Sequence, residues 1–100
     1  MPTYNKMVKH LRKLCNNRSE LSGHKPDWQS GYQIEPHHIN GRRGQELINP
    51  FSVIMLTRNE HEVEQGRVIG NGFSKETLLL IVKDIRLCQG FVEGKLYGEE

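Results

Sequence analysis

The order of elements between residues 32 and 66 constrains this chain more than any bulk property. Tyr32-Gln33-Ile34-Glu35 alternates large apolar with polar side chains and leads through Pro36 into His37-His38-Ile39, the pattern of a strand that ends at the histidines. Asn40-Gly41-Arg42-Arg43-Gly44 follows as a turn-rich basic loop. Phe51-Ser52-Val53-Ile54-Met55-Leu56, β-branched and mostly apolar, reads as a second strand, so the two form an antiparallel hairpin with a long loop. Thr57-Arg58-Asn59-Glu60 then has the Thr-x-x-Glu form of a capping box, which satisfies two orphan backbone donors and starts a helix at about Arg58. His61 falls in the first turn of that helix and Gln65, four residues on, shares its face. Gly66, Gly70 and Gly72 limit how far it runs.

Two further helices flank this block. Met7, Val8, Leu11, Leu14 and Cys15 recur at helical spacing within residues 4–16, with Lys6, Lys9, Arg12 and Lys13 on the outer face and Asn16-Asn17 as the stop. Ser74 caps a last helix over 75–89, whose Leu78, Ile81, Val82, Ile85 and Cys88 form a stripe and whose Gly90 ends it. The sequence contains no alanine, so these helices depend on packed Leu, Ile and Val and on caps. Residues 17–31 read as loop, with Trp28 expected as a core anchor and His24 as a surface residue. Cys15 and Cys88 sit at apolar helical positions without a Cys-x-x-Cys neighbour, which predicts buried reduced thiols.

One hundred residues make about one small domain, which excludes a two-domain enzyme. With 35% hydrophobic residues the core is modest, and support from a metal or a partner subunit would suit it. No stretch approaches a membrane span, and the N-terminus lacks the pattern of a signal peptide, so a cytoplasmic protein without a membrane partner is expected. The net charge is only +2, but residues 1–45 carry eight Lys and Arg against Glu20, Asp27 and Glu35. Such asymmetry suits one phosphate-facing surface, although a basic run is more often a solvated face.

The order of elements gives three imidazoles a reason to converge. If the hairpin packs on the helix, His37 or His38 approaches His61, and because neighbours in a strand point to opposite faces, one of the pair can bind a metal while the other acts as a base. Each fragment alone has a bland explanation, since a His pair is often ordinary surface. Their ordered combination is what carries chemistry.

The stretch from Glu35-Pro36-His37-His38-Ile39-Asn40-Gly41-Arg42-Arg43-Gly44 to Asn49-Pro50-Phe51-Ser52-Val53-Ile54-Met55-Leu56-Thr57-Arg58-Asn59-Glu60-His61 resembles the HNH endonucleases. That resemblance implies an α+β chain, a single domain over 1–100 whose ββα-metal hairpin-plus-helix core covers about 32–68, flanked by N-terminal and C-terminal helices. It implies His37 and His61 as metal ligands, Gln65 as a weak third ligand or a place for water, and His38 as general base. The family's middle Asn falls on Ser52, a shorter side chain with one donor, so Asn49 three residues upstream is a candidate substitute brace. The zinc-knuckle cysteines of many members are absent.

The resemblance further implies metal-dependent hydrolysis of DNA, leaving a 5′ phosphate and a 3′ hydroxyl. One divalent ion held by His37 and His61 would neutralise charge on the phosphate, His38 would take a proton from water, and Arg42 and Arg43 would grip phosphates, with Lys9, Arg12 and Lys13 extending the track. Mg²⁺, Mn²⁺, Zn²⁺ and Ni²⁺ all remain open. So does a homodimer, because one site per chain cuts one strand at a time. Small solitary domains of this family are often phage-encoded, which would place the chain in a bacterial host beside packaging or recombination machinery. Two alternatives stand: a non-catalytic DNA-binding module on the same scaffold, for which Ser52 is the hint, and a metal-stabilised interaction domain.

Overall fold

The computed structural model describes residues 2–26, 33–66 and 72–99; Trp28, Tyr32 and Gly70 lie outside them. Among the described residues it is an α+β fold with three α-helices and a two-stranded antiparallel sheet: α1 (Pro2–Leu14), β1 (Glu35–His38), β2 (Val53–Leu56), α2 (Arg58–Glu64) and α3 (Lys75–Cys88). No helix among the described residues is long and apolar enough to cross a membrane.

β2 is buried throughout, and its alternation divides the core in two. Val53 and Met55 face α1 and pack with Met7, Val8, Leu11, Ile34, Phe51 and Phe91. Ile54 and Leu56 face the other way and pack with Ile39 and with Leu78 and Val82 of α3. The register pairs His37 with Ile54 and His38 with Val53. Opposed residues of an antiparallel pair share a face, so Glu35 and His37 stand on the α3 side of the sheet and His38 on the α1 side.

Both strands start later in sequence than their patterns predict, and each delay has a local cause. Ile34 N–H donates to Asn17 Oδ1 at 2.9 Å and its carbonyl accepts from Arg12 Nε at 3.1 Å, so side chains satisfy the backbone there and the ladder starts at Glu35. Pro50–Ser52 form a 3₁₀ turn in which Asn49 Oδ1 accepts from Phe51 N–H, so Phe51 and Ser52 precede β2 instead of opening it. A second 3₁₀ turn, Gly44–Ile48, occupies part of the long hairpin loop.

The helix boundaries follow their caps. Asn16 and Asn17 end α1 with φ of 55° and 54°, a conformation asparagine tolerates better than most residues. The reciprocal Thr57–Glu60 box starts α2 at Arg58, and the Ser74 hydroxyl caps α3. The buried stripe of α3 is Leu78, Val82 and Arg86. This corrects the expectation for the cysteines: Cys88 lies off the stripe and is exposed, while Cys15 is half-buried with its thiol pKa pushed up by burial.

The Arg86 guanidinium, fully buried, replaces an aliphatic anchor at the centre of the fold. It bonds Glu20 at 2.5 and 2.7 Å, Pro50 O at 2.8 Å, Val53 O at 2.7 Å and Gln89 Oε1 at 2.9 Å. Glu20 in turn takes the outer edge of β2, its N–H donating to Met55 O and its carboxylate accepting from Met55 N–H. The edge strand is thereby closed by side-chain and main-chain bonds.

Candidate active site

His37, His38, His61, Gln65, Arg42 and Gly41 line one cavity of about 310 Å³ at the junction of β1, the hairpin loop and the start of α2. Each arrives by a separate local rule. The strand register delivers His37 toward α2, where its ring meets His61 edge to face with centroids 5.2 Å apart. The capping box fixes the first turn of α2 and with it His61; Gln65 follows at the C-cap, its N–H bonded to His61 O. Just after His38 the chain turns, Gly41 N–H donating to His38 O at 3.1 Å, and Gly41 holds φ at +84°, a conformation that L side chains rarely adopt. Arg42 follows this turn and joins the cavity wall.

α1 supplies the other side. The Tyr4 ring lies 5.5 Å from the His38 ring, centroid to centroid, and the Arg42 guanidinium stacks over Tyr4 at 5.5 Å. The Nε2 of His38 is buried and finds no hydrogen-bond partner among the described residues. A buried imidazole nitrogen without a partner is uncommon in a folded chain.

The electrostatics keep two of the imidazoles neutral. Burial, with the neighbouring His61, pushes the His37 pKa down to about 4. Burial, followed by Arg42, His37 and His61, takes His38 to about 4 as well. Neutral imidazole is the form that ligates a metal or accepts a proton. His61 is held differently: its Nδ1 lies 3.0 Å from Glu35 Oε1, while the other Glu35 oxygen is 3.7 Å from Arg58. Sequence reasoning passed over Glu35. The usable signal was its position two residues before His37, which puts both on one face of a strand.

Among the described residues no set of three or more His, Cys, Asp and Glu side chains is grouped to hold an ion. A structural zinc centre needs a closed set of four ligands, which the described lining of this cavity does not supply. His37 and His61 instead make an open pair of imidazoles beside Gln65. That donor set, with a carboxylate behind His61 and an unpartnered His38 nitrogen, fits a divalent ion that keeps much of its shell for water and substrate.

The remaining predicted residues are more dispersed. Ser52 is buried outside the histidine cavity: its hydroxyl meets Glu46, and the amides of Asn40 and Asn49 donate to it at 3.3 and 3.2 Å. Ile39 N–H donates to Ser52 O at 2.8 Å, so this polar cluster braces the loop that follows His38. Arg43 is exposed at the start of the 3₁₀ turn, and Arg12 is committed to Ile34 O. Lys9 and Lys13 are exposed on α1, but at about 100° per residue they lie roughly 140° and 180° around the helix from Tyr4, facing away from the cavity. A larger groove, about 500 Å³, runs between this loop and α3 and contains no imidazole. No family model matches the chain, and neither the curated proteins nor the solved structures yield a match.

Proposed function

We propose that the chain is a divalent-metal-dependent endonuclease of HNH type that hydrolyses phosphodiester bonds in DNA, with β1, β2 and α2 as its ββα unit. The observation that carries the reading is the convergence of His37, His38 and His61 on one cavity, with the buried Nε2 of His38 left without a partner.

In this reading His37 and His61 would hold the ion, with Gln65 in the same wall. Such an ion would supply charge neutralisation at the reacting phosphate. His38 would accept the proton of the attacking water at its unprotonated ring nitrogen. Its depressed pKa keeps it unprotonated before substrate binds, and an arriving phosphate anion raises its basicity toward neutral pH, where general bases work best. Arg42 binds the phosphate, and Tyr4 backs both Arg42 and His38. The Glu46, Asn40 and Asn49 bonds to Ser52 stand in for the brace that a longer middle Asn would give.

The test is cleavage of supercoiled plasmid by metal-stripped protein with Mg²⁺, Mn²⁺, Zn²⁺ or Ni²⁺ added back singly. The reading requires nicked circles with at least one ion and none with chelator. Tight DNA binding without cleavage under every ion would instead identify a non-catalytic binding module.

A further inference from the structure

Glu35 is the one carboxylate bonded to an imidazole of the cavity among the described residues, and two separate contacts fix it there. Oε1 is 3.0 Å from His61 Nδ1 and Oε2 is 3.7 Å from Arg58 Nη1. Arg58 is itself steadied by Glu62, whose Oε1 lies 3.3 Å from Arg58 Nε, so β1 and the first turn of α2 are tied through Glu35. The His61 side chain is 18% exposed and the Glu35 side chain 28%, so both are largely covered.

An ionised carboxylate has lone pairs only and no proton to give. For the 3.0 Å contact to be a hydrogen bond, the proton must sit on His61 Nδ1. In the neutral ring the lone pair is then on Nε2, the other ring nitrogen of a side chain that lines the cavity beside His37. We propose that Glu35 is a positioning residue which fixes the Nδ1–H tautomer and the ring orientation of His61, so that Nε2 is the atom offered to a divalent cation. The cation half of this inference rests on the nuclease reading; the tautomer half does not.

The two halves are tested together on the full chain, unsubstituted and as Glu35→Ala, Glu35→Gln and Glu62→Gln, with circular dichroism confirming the fold. Long-range ¹H–¹⁵N correlation spectra of the metal-free protein report which His61 nitrogen is protonated, and calorimetric titration with MgCl₂, MnCl₂, ZnCl₂ and NiCl₂ reports affinity. The expected result is Nδ1–H in the unsubstituted chain, a shift toward Nε2–H in Glu35→Ala, and a loss of affinity of about 10- to 100-fold, the usual effect of removing a carboxylate behind a ligating histidine. Glu35→Gln, which retains an acceptor oxygen, restores the tautomer and part of the affinity, and Glu62→Gln retains both.

An unchanged tautomer in Glu35→Ala overturns the proposal whatever the metal data show. Unchanged affinity with a changed tautomer overturns the claim that the tautomer serves cation binding. Absence of binding by the unsubstituted chain, with the tautomer shift intact, overturns the nuclease reading and leaves the orienting role of Glu35 standing.

Discussion

Arg86 and Glu20, 66 positions apart, form a two-pronged ion pair with side-chain exposures of 0% and 2%. Burying two charges is costly, and their attraction compensates only when every remaining donor and lone pair is used. Here the carbonyls of Pro50 and Val53, the Gln89 side chain and the Met55 amide complete both shells. Removal of one partner leaves the other charged and unpaired in the core. Glu20→Ala or Arg86→Ala should therefore cost about 3–5 kcal/mol, a large share of the stability of a domain this small. Urea unfolding measures it; a loss below about 1 kcal/mol, typical of a surface pair, would contradict the role given to this contact.

Tyr4 backs both His38 and Arg42, and the contribution is the ring, because both contacts are to its face or its centroid. Ring contacts of this kind are worth about 0.5–1.5 kcal/mol. Tyr4→Phe should retain cleavage, whereas Tyr4→Leu should slow it up to about tenfold with little change in divalent-ion affinity. Equal losses in the two variants would point to the hydroxyl.

The basic residues should separate by position. Each phosphate contact removed makes the negative slope of log affinity against log salt shallower by about 0.9. Arg42→Gln with Arg43→Gln should flatten the salt dependence of DNA binding. Lys9→Gln with Lys13→Gln should leave it nearly unchanged, since these side chains face away from Tyr4 and the cavity. The reverse ranking, read by fluorescence anisotropy at several salt concentrations, would move the DNA footprint to the outer face of α1.

Acid should weaken the metal-free fold in a defined window. His37 and His38 titrate near 6.5 when unfolded and at about 4 in the native state, in both cases chiefly because burial disfavours the charged ring. Between those values the unfolded chain binds more protons, so stability falls as pH drops from about 6.5 to about 4 and then levels for these groups. Replacing both with Gln should flatten that segment of the stability curve. An unaltered pH dependence would show that neither ring is held neutral by the fold.

Local chemistry was legible in the sequence, and long-range chemistry much less so. The Thr57–Glu60 box placed the start of α2 to the residue because a capping box needs only four consecutive positions. The alternation rule separated His37 from His38, and the register does put them on opposite faces. Arg86 could not be foreseen, since a charged residue within an apolar stripe reads as an interruption until a partner 66 positions away is brought to it. The late strand starts at Glu35 and Val53 depended on side chains of Asn17, Arg12 and Asn49 capturing backbone groups, which no strand propensity registers.

The central claim is that His38 is a base beside an ion held by His37 and His61, and one comparison tests it most directly. Supercoiled plasmid is incubated with the native chain and with His38→Ala, each stripped and reloaded with the ion that supports cleavage, and ion affinity is measured in parallel. The account predicts nicking by the native chain and a rate at least about 100-fold lower in the variant, with ion affinity retained. Undiminished nicking by His38→Ala, or loss of ion binding together with activity, would contradict it.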